Sequence, residues 1–225
     1  MKERRYSIIE RIARKIVIRN KVIADPDLYF ECKKREPNNQ IFLNDKHLEH
    51  CKLLSTREKL LEEMPKGAVC AEVGVAEGYY SDKILNIVQP RLLYLIEYDS
   101  QCCINLERRF KTQIEAGIVK ILQGDSVEMI KQLEDDTLDF VFLDATHDYE
   151  HPKAELNAVQ KKVKANGYIM GHDYTRFSMW EASQYGVIEA VNEFAVKENY
   201  ELVYFTMDIL HSNPSYALRK MKTYT

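Results

Sequence analysis

The sequence predicts a doubly wound α/β domain: a mainly parallel sheet of seven strands, the last antiparallel, wrapped by helices and preceded by a helical extension. Three observations predict it. Five short runs recur between residues 69 and 171: Val69–Val73, Leu92–Ile96, Ile118–Leu122, Leu138–Leu143 and Tyr168–Met170. They are mostly apolar without clean alternation, as strands covered on both faces are. The longer segments between them carry apolar residues at i, i+3 and i+4, the period of an amphipathic helix, and such alternation implies parallel strands. Glycine is scarce, 8 in 225 residues, and five of the eight (Gly74, Gly78, Gly124, Gly167 and Gly171) border the apolar runs.

Residues 1–65 do not share this rhythm and are read as an N-terminal helical cap or oligomerisation extension of a sheet domain spanning 66–225. Lys2–Arg19 places Ile8, Ile9, Ile12, Ile16 and Val17 at helical spacing under a basic face. The stripe is only a few turns long, so it reads as a helix packed on the domain or on a partner subunit rather than as a membrane-surface element. Asp25-Pro26 and Glu36-Pro37 break the pattern, and a second helical stretch, Lys46–Met64, leads into Pro65 and Gly67. In the sheet domain the expected helices are Tyr79–Val88, Cys102–Ile114, Val127–Leu133, Glu150–Lys164 and Val187–Val196. Two further runs, Glu201–Thr206 and Ser215–Arg219, joined through His211–Pro214, read as an antiparallel pair.

Composition narrows the function classes. A formal net charge of -3 speaks against a nucleic-acid protein that works by bulk charge. No run approaches the ~18 apolar residues of a membrane span. The five cysteines, Cys32, Cys51, Cys70, Cys102 and Cys103, form an odd set with no CxxC. That pattern disfavours a disulfide framework or a zinc ribbon and fits a reducing cytosol.

In an open parallel sheet, ligands bind beyond the carboxyl ends of the strands, so the residues just after each run are the ones to read. Glu72-x-Gly74-x-x-x-Gly78 follows the first run and opens a helix. It is neither GxGxxG nor a P-loop, so a pyrophosphate site and a nicotinamide-dependent oxidoreductase are the weaker reading. Glu97, after the second run, suits hydrogen bonds to the two hydroxyls of a ribose. Asp125 and Ser126, after the third, suit an adenine edge or, equally, a helix N-cap. Asp144 and His147 follow the fourth, and His172 and Asp173 the fifth. Strands lie ~4.8 Å apart, so Asp144 and Asp173 can share a cleft and, with a histidine nearby, hold Mg²⁺ or Mn²⁺.

Taken in this order, Lys66–Lys222 resembles the class I S-adenosylmethionine-dependent methyltransferases, which have a Rossmann-like fold. The resemblance puts Glu72, Gly74 and Gly78 under the methionine part of the cofactor, Glu97 on the ribose, Asp125 and Ser126 at the adenine, and Asp144 at the end of the fourth strand. Asp144–Glu150 together with Gly167–Tyr174 is similar to the small-molecule O-methyltransferases related to macrocin and aminocoumarin-sugar enzymes. That implies transfer to a hydroxyl of a sugar or phenol, with Asp144, His147 and His172 as catalytic candidates and Asp144 and Asp173 as ligands of a divalent cation. One departure stands out: where the subgroup has a second aspartate proposed as general base, this chain has Thr146, whose hydroxyl cannot serve as a base near neutral pH. The aromatic stretch Tyr174–Tyr185, with the only tryptophan, Trp180, reads as an acceptor-binding lid or as a hydrophobic plug or subunit contact. The alternatives are N-transfer to an amino sugar, the oxidoreductase and a non-catalytic scaffold. A nucleic-acid methyltransferase ranks low, because no Asn/Asp-Pro-Pro-Tyr-like motif follows the fourth run.

Overall fold

The computed structural model describes residues 41–178, 183–208 and 213–222. The basic stretch Lys2–Arg19, Trp180 and His211 lie outside the described residues. In chain order the elements begin with α1 (Asp45–Leu48), β1 (Lys52–Leu54), α2 (Arg57–Glu62), β2 (Val69–Val73), α3 (Tyr79–Ile87) and β3 (Leu92–Glu97). Next come α4 (Ser100–Arg109), α5 (Lys111–Glu115), β4 (Val119–Gln123), α6 (Ser126–Gln132), β5 (Leu138–Leu143), α7 (Glu150–Val159) and β6 (Val163–Gly171). The chain closes with β7 (Phe177–Ser178), β8 (Ser183–Gln184), α8 (Val187–Glu198), β9 (Tyr200–Thr206) and β10 (Tyr216–Lys220).

The main sheet has eight strands in the order β1-β9-β10-β6-β5-β2-β3-β4, with only β10 antiparallel to its neighbours. The expected doubly wound, mainly parallel architecture is what the chain adopts, with eight strands in place of seven. The extra one is β1, inside the stretch Lys46–Met64 read as a helix. Leu53, Leu54, Leu60 and Leu61 fit a helical period, but Thr56 interrupts it as the N-cap of α2. That frees Lys52–Leu54 to pair in parallel with Tyr204–Thr206.

Two other boundaries moved for equally local reasons. The helix expected over Cys102–Ile114 breaks at Phe110 into α4 and α5. The helix expected over Glu150–Lys164 stops at Val159, because Val163 begins β6 opposite Leu138.

The sheet is covered on both faces. On one side α6, α7 and α8 contribute Ile130, Leu156, Val159, Val191 and Phe194 to a buried cluster with Val73, Val141 and Ile169. On the other, α2, α3 and α4 contribute Leu60, Leu61, Ile84 and Leu106 to a cluster with Cys70, Leu93, Leu95 and Phe142. Such near-continuous burial of both strand faces is why β2 and β5 are almost wholly apolar. No helix among the described residues is long and apolar enough to cross a membrane.

Candidate functional site

Because β2 to β6 run parallel, their carboxyl ends share one edge of the sheet. At the end of β2, Gly74 adopts φ +82°, and a Cβ there would lie 2.3 Å from the carbonyl oxygen of Asp144. Only glycine lets the turn after β2 press against the end of β5. Gly78 adopts φ +76° as it opens α3, and a Cβ there would meet Leu106 at 2.7 Å. The two glycines thus mark a chain reversal held tightly on both sides.

Glu97 locks that reversal from the next strand. Its Oε2 accepts the backbone N–H groups of Val75 and Ala76 at 2.9 and 2.7 Å, and its Oε1 accepts that of Asp99 at 2.9 Å. A carboxylate has about four lone-pair sites. Three are committed to the backbone, so one on Oε1 is left for a ligand hydroxyl. Asp125 caps α6 by accepting the Glu128 N–H at 3.1 Å, which is the ordinary N-cap use of this residue. The Ser126 hydroxyl donates to Glu155, and His151 Nε2 lies 2.8 Å from the same oxygen. Burial pushes the Glu155 carboxyl up to about 7, although the Ser126 bond opposes that.

These residues line one cavity of about 500 Å³, bounded by Gly74, Ala76, Glu97, Tyr98, Gly124, Asp125, Ser126, Asp144, Thr146 and His151. Gly78 and Glu72 lie behind its wall. Glu72 is fully buried and accepts the Ser81 hydroxyl. Burial pushes its carboxyl up to about 8, against the Ser81 bond. Two lining side chains were not singled out from the sequence, and only the first lies beyond the strand ends. His151 sits in the first turn of α7, and Tyr98 is 78% exposed directly after Glu97. Reading on through the first turn of the helix that follows each strand would have found His151.

The ends of β5 and β6 form the other half. Asp144, His147 and Asp173 bring one donor atom each to within 4.8 Å of one another. His147 Nε2 lies 2.7 Å from Asp173 Oδ2 and 3.9 Å from Asp144 Oδ1. Burial alone would lower the His147 pKa, but the two carboxylates outweigh it and raise it to about 10. Burial would likewise raise the Asp173 carboxyl, yet hydrogen bonds from His147 and Asn213, together with imidazole charge, hold it low. Tyr185 stacks on the His147 ring at 4.3 Å, so the described end of the aromatic stretch packs directly on this cluster. His172 borders the cluster: its Nε2 is 3.6 Å from Asp173 Oδ1 and its Nδ1 2.8 Å from Ser215 Oγ, and burial lowers its pKa. Thr146 is exposed at the cavity rim.

Residues 71–174 match a family model described as a methyltransferase domain. No curated protein matches the chain by sequence. Among solved structures the chain is similar to the B. subtilis m1A22 tRNA methyltransferase TrmK, with TM-score 0.57 and 15% identity, covering 75% of this chain and 67% of that one. It is also similar to the pyocyanin biosynthetic protein PhzM, with TM-score 0.56 and 12% identity over 72% of this chain and 54% of the other. A third is the precorrin-6y C5,15-methyltransferase of Geobacter metallireducens GS-15, with TM-score 0.53 and 17% identity over 72% and 84%. At these identities the likeness is one of fold. The chain thus shares the Rossmann-like fold of these methyltransferases, and the stretch that matches a methyltransferase domain, residues 71–174, is the one that carries the glycine turn, Glu97, Asp125, Asp144 and Asp173.

Proposed function

We propose that the chain is an S-adenosylmethionine-dependent methyltransferase acting on a hydroxyl of a small molecule, a sugar or a phenol, with help from a divalent cation. One observation carries this reading: Asp144 both lines the nucleoside-sized cavity and belongs to the cluster with His147 and Asp173. The cofactor side and the acceptor side therefore meet at a single carboxylate. The cofactor, when bound, supplies a sulfonium methyl that is already activated for attack.

The protein's own work is positioning and proton handling. Glu97 has one lone pair to offer the ribose. Asp125 and Ser126 border the nucleobase end, and the Gly74 turn lets the backbone pass close beneath the ligand. Two carboxylates and an imidazole fit Mg²⁺ or Mn²⁺, so Asp144, His147 and Asp173 would hold the cation. Such an ion lowers the pKa of a bound hydroxyl. A cation held there would displace the proton that His147 carries between its two carboxylates and occupy the imidazole, so His172, whose burial favours the neutral form, is the better candidate base. Net charge of -3 favours a small acceptor over RNA, although one structural neighbour acts on tRNA. The exposed Phe42, Leu48 and Leu53, at and near the open edge of the sheet, support an oligomeric contact through the 1–65 extension.

Calorimetric titration with S-adenosylhomocysteine and with NAD⁺, each with Mg²⁺ and with EDTA, tests the cofactor. Micromolar binding of S-adenosylhomocysteine is expected, and NAD⁺ binding in its place would overturn the reading. Transfer from labelled S-adenosylmethionine to sugars, phenols, amino sugars and a tRNA transcript then tests the acceptor. Product on the tRNA or on an amine, with none on hydroxylated small molecules, would overturn O-transfer.

A further inference from the structure

The methyltransferase match begins at residue 71, yet the chain brings a cation from further upstream to the ligand edge of the sheet. β1 is parallel to β9 and hence to β2, so Leu54 ends at the same edge as Gly74 and Asp144. Thr56 caps α2 and Arg57 is its first residue. Packing of Leu60 and Leu61 into the cluster that holds Ile84 sets α2 beside α3. The Arg57 guanidinium carbon consequently lies 4.9 Å from the centre of the Tyr80 ring, and the Tyr80 hydroxyl donates to the Arg57 carbonyl at 3.3 Å.

Tyr80 is the second residue of α3, immediately after the glycine turn, and its ring lies 4.3 Å from Phe142. Phe142 in turn lies 6.5 Å from the His172 ring. Arg57 thus stands over the junction between the Gly74–Gly78 turn and the ends of β5 and β6. Its charge is felt by both Glu72 and His172. The half-buried guanidinium has no hydrogen-bond acceptor and no ion-pair partner among the described residues.

The geometry assigns Arg57 to the carboxylate at the methionine end of the cofactor, an assignment that rests on the methyltransferase reading. If the nucleoside lies over the ends of β3 and β4, against Glu97 and Asp125, its sulfonium end must point back toward β2 and β5. The amino-acid tail then runs along the glycine turn toward the start of α3, where Arg57 is fixed on the Tyr80 face. A guanidinium offers a planar, two-pronged donor set that matches a carboxylate, and an aromatic face beneath it limits its rotation. The adjacent Glu72 supplies no ion pair to compete.

The test compares two ligands on three proteins by calorimetry: S-adenosylhomocysteine and 5′-methylthioadenosine, which lacks the amino-acid tail, with wild type, Arg57→Gln and Arg57→Lys. Arg57→Gln is expected to weaken S-adenosylhomocysteine about 10- to 100-fold, as loss of a charged hydrogen bond does. It should leave 5′-methylthioadenosine unchanged, and Arg57→Lys should restore part of the loss. Retained 5′-methylthioadenosine binding also shows that the variant has folded. Equal weakening of both ligands would make Arg57 a structural residue and overturn the assignment. Unchanged S-adenosylhomocysteine binding with a raised KM for an acidic acceptor would overturn it in favour of the acceptor. Failure of the wild type to bind S-adenosylhomocysteine would overturn the cofactor reading itself.

Discussion

The two halves of the site are made of different materials. Around β2 to β4 the backbone does the holding: a glycine reversal without room for a Cβ, and a Glu97 carboxylate tied to three main-chain N–H groups. Around β5 and β6 the side chains do it, through a cluster of two carboxylates and an imidazole that keeps a negative charge over even when the imidazole is protonated. A half made of main chain is fixed by the path of the fold, and changing it changes the fold. A half made of charged side chains can be altered one group at a time, so chemistry there is separable from stability.

The sharpest way to break this contrast is Gly74→Ala, because Gly74 is where the halves touch. A methyl 2.3 Å from the Asp144 carbonyl, at φ +82°, is expected to destabilise the protein by about 3 kcal/mol or more and to abolish S-adenosylhomocysteine binding. Urea unfolding and calorimetry measure the two effects. Asp144→Ala makes the opposite case: methyl transfer should vanish while unfolding free energy stays within about 1 kcal/mol of wild type, since the lost charge is part-exposed. A variant that still turns over the acceptor at the wild-type rate would remove Asp144 from the site.

A third prediction concerns the buried carboxyl behind the glycine wall. Glu72 titrates at about 8 in the fold against 4.5 in its absence, so the folded protein holds a proton that the unfolded chain releases. That contribution is intact below pH 4.5 and is lost as pH rises to about 8. Glu72→Gln cannot lose a proton, so its thermal stability should exceed wild type by a margin that grows across this window, reaching a few kcal/mol at most. A constant margin from pH 5 to 9 would contradict it. The smallest effect is ionic. Millimolar Mg²⁺ or Mn²⁺ should raise the melting temperature by a few degrees in wild type, about 1–3 kcal/mol by mass action, and EDTA should reverse it. Asp173→Asn should erase the rise without distorting the loop, because asparagine tolerates the φ of +58° found there. An equal rise in that variant would place the cation elsewhere.

Much of this was legible because strand ends carry their own punctuation. Gly74, Glu97, Asp125 and Asp144 follow apolar runs at the expected order along the sheet, and the cavity gathers all four. Less legible was anything decided by packing across the sequence. The pair Leu53-Leu54 satisfies a helix and a strand alike, and only the vacant edge of β9 selects the strand. Side-chain partners were equally hidden. Sequence alone left Asp125 open between an adenine edge and an N-cap, and it did not reveal that His172 would bond Ser215 while His147 paired with Asp173. Nor does the sequence tell three further histidines apart: His50 pairs with Glu201, His47 is fully buried, and His151 lines the cavity.

The position of β10 has a consequence for how such a sheet is completed as the chain emerges. Residues 216–220 form neither edge: they lie between β6 and β9, with Tyr216 facing Gly171 on one side and Phe205 on the other. Until they arrive, β6 presents an open, apolar strand and β9 with β1 has nothing to join. The larger part, β6-β5-β2-β3-β4, can assemble first as a sheet of its own, while the smaller must wait for the keystone. A chain halted before Tyr216 would be left with two unpaired borders, the kind of surface on which nascent β proteins associate wrongly.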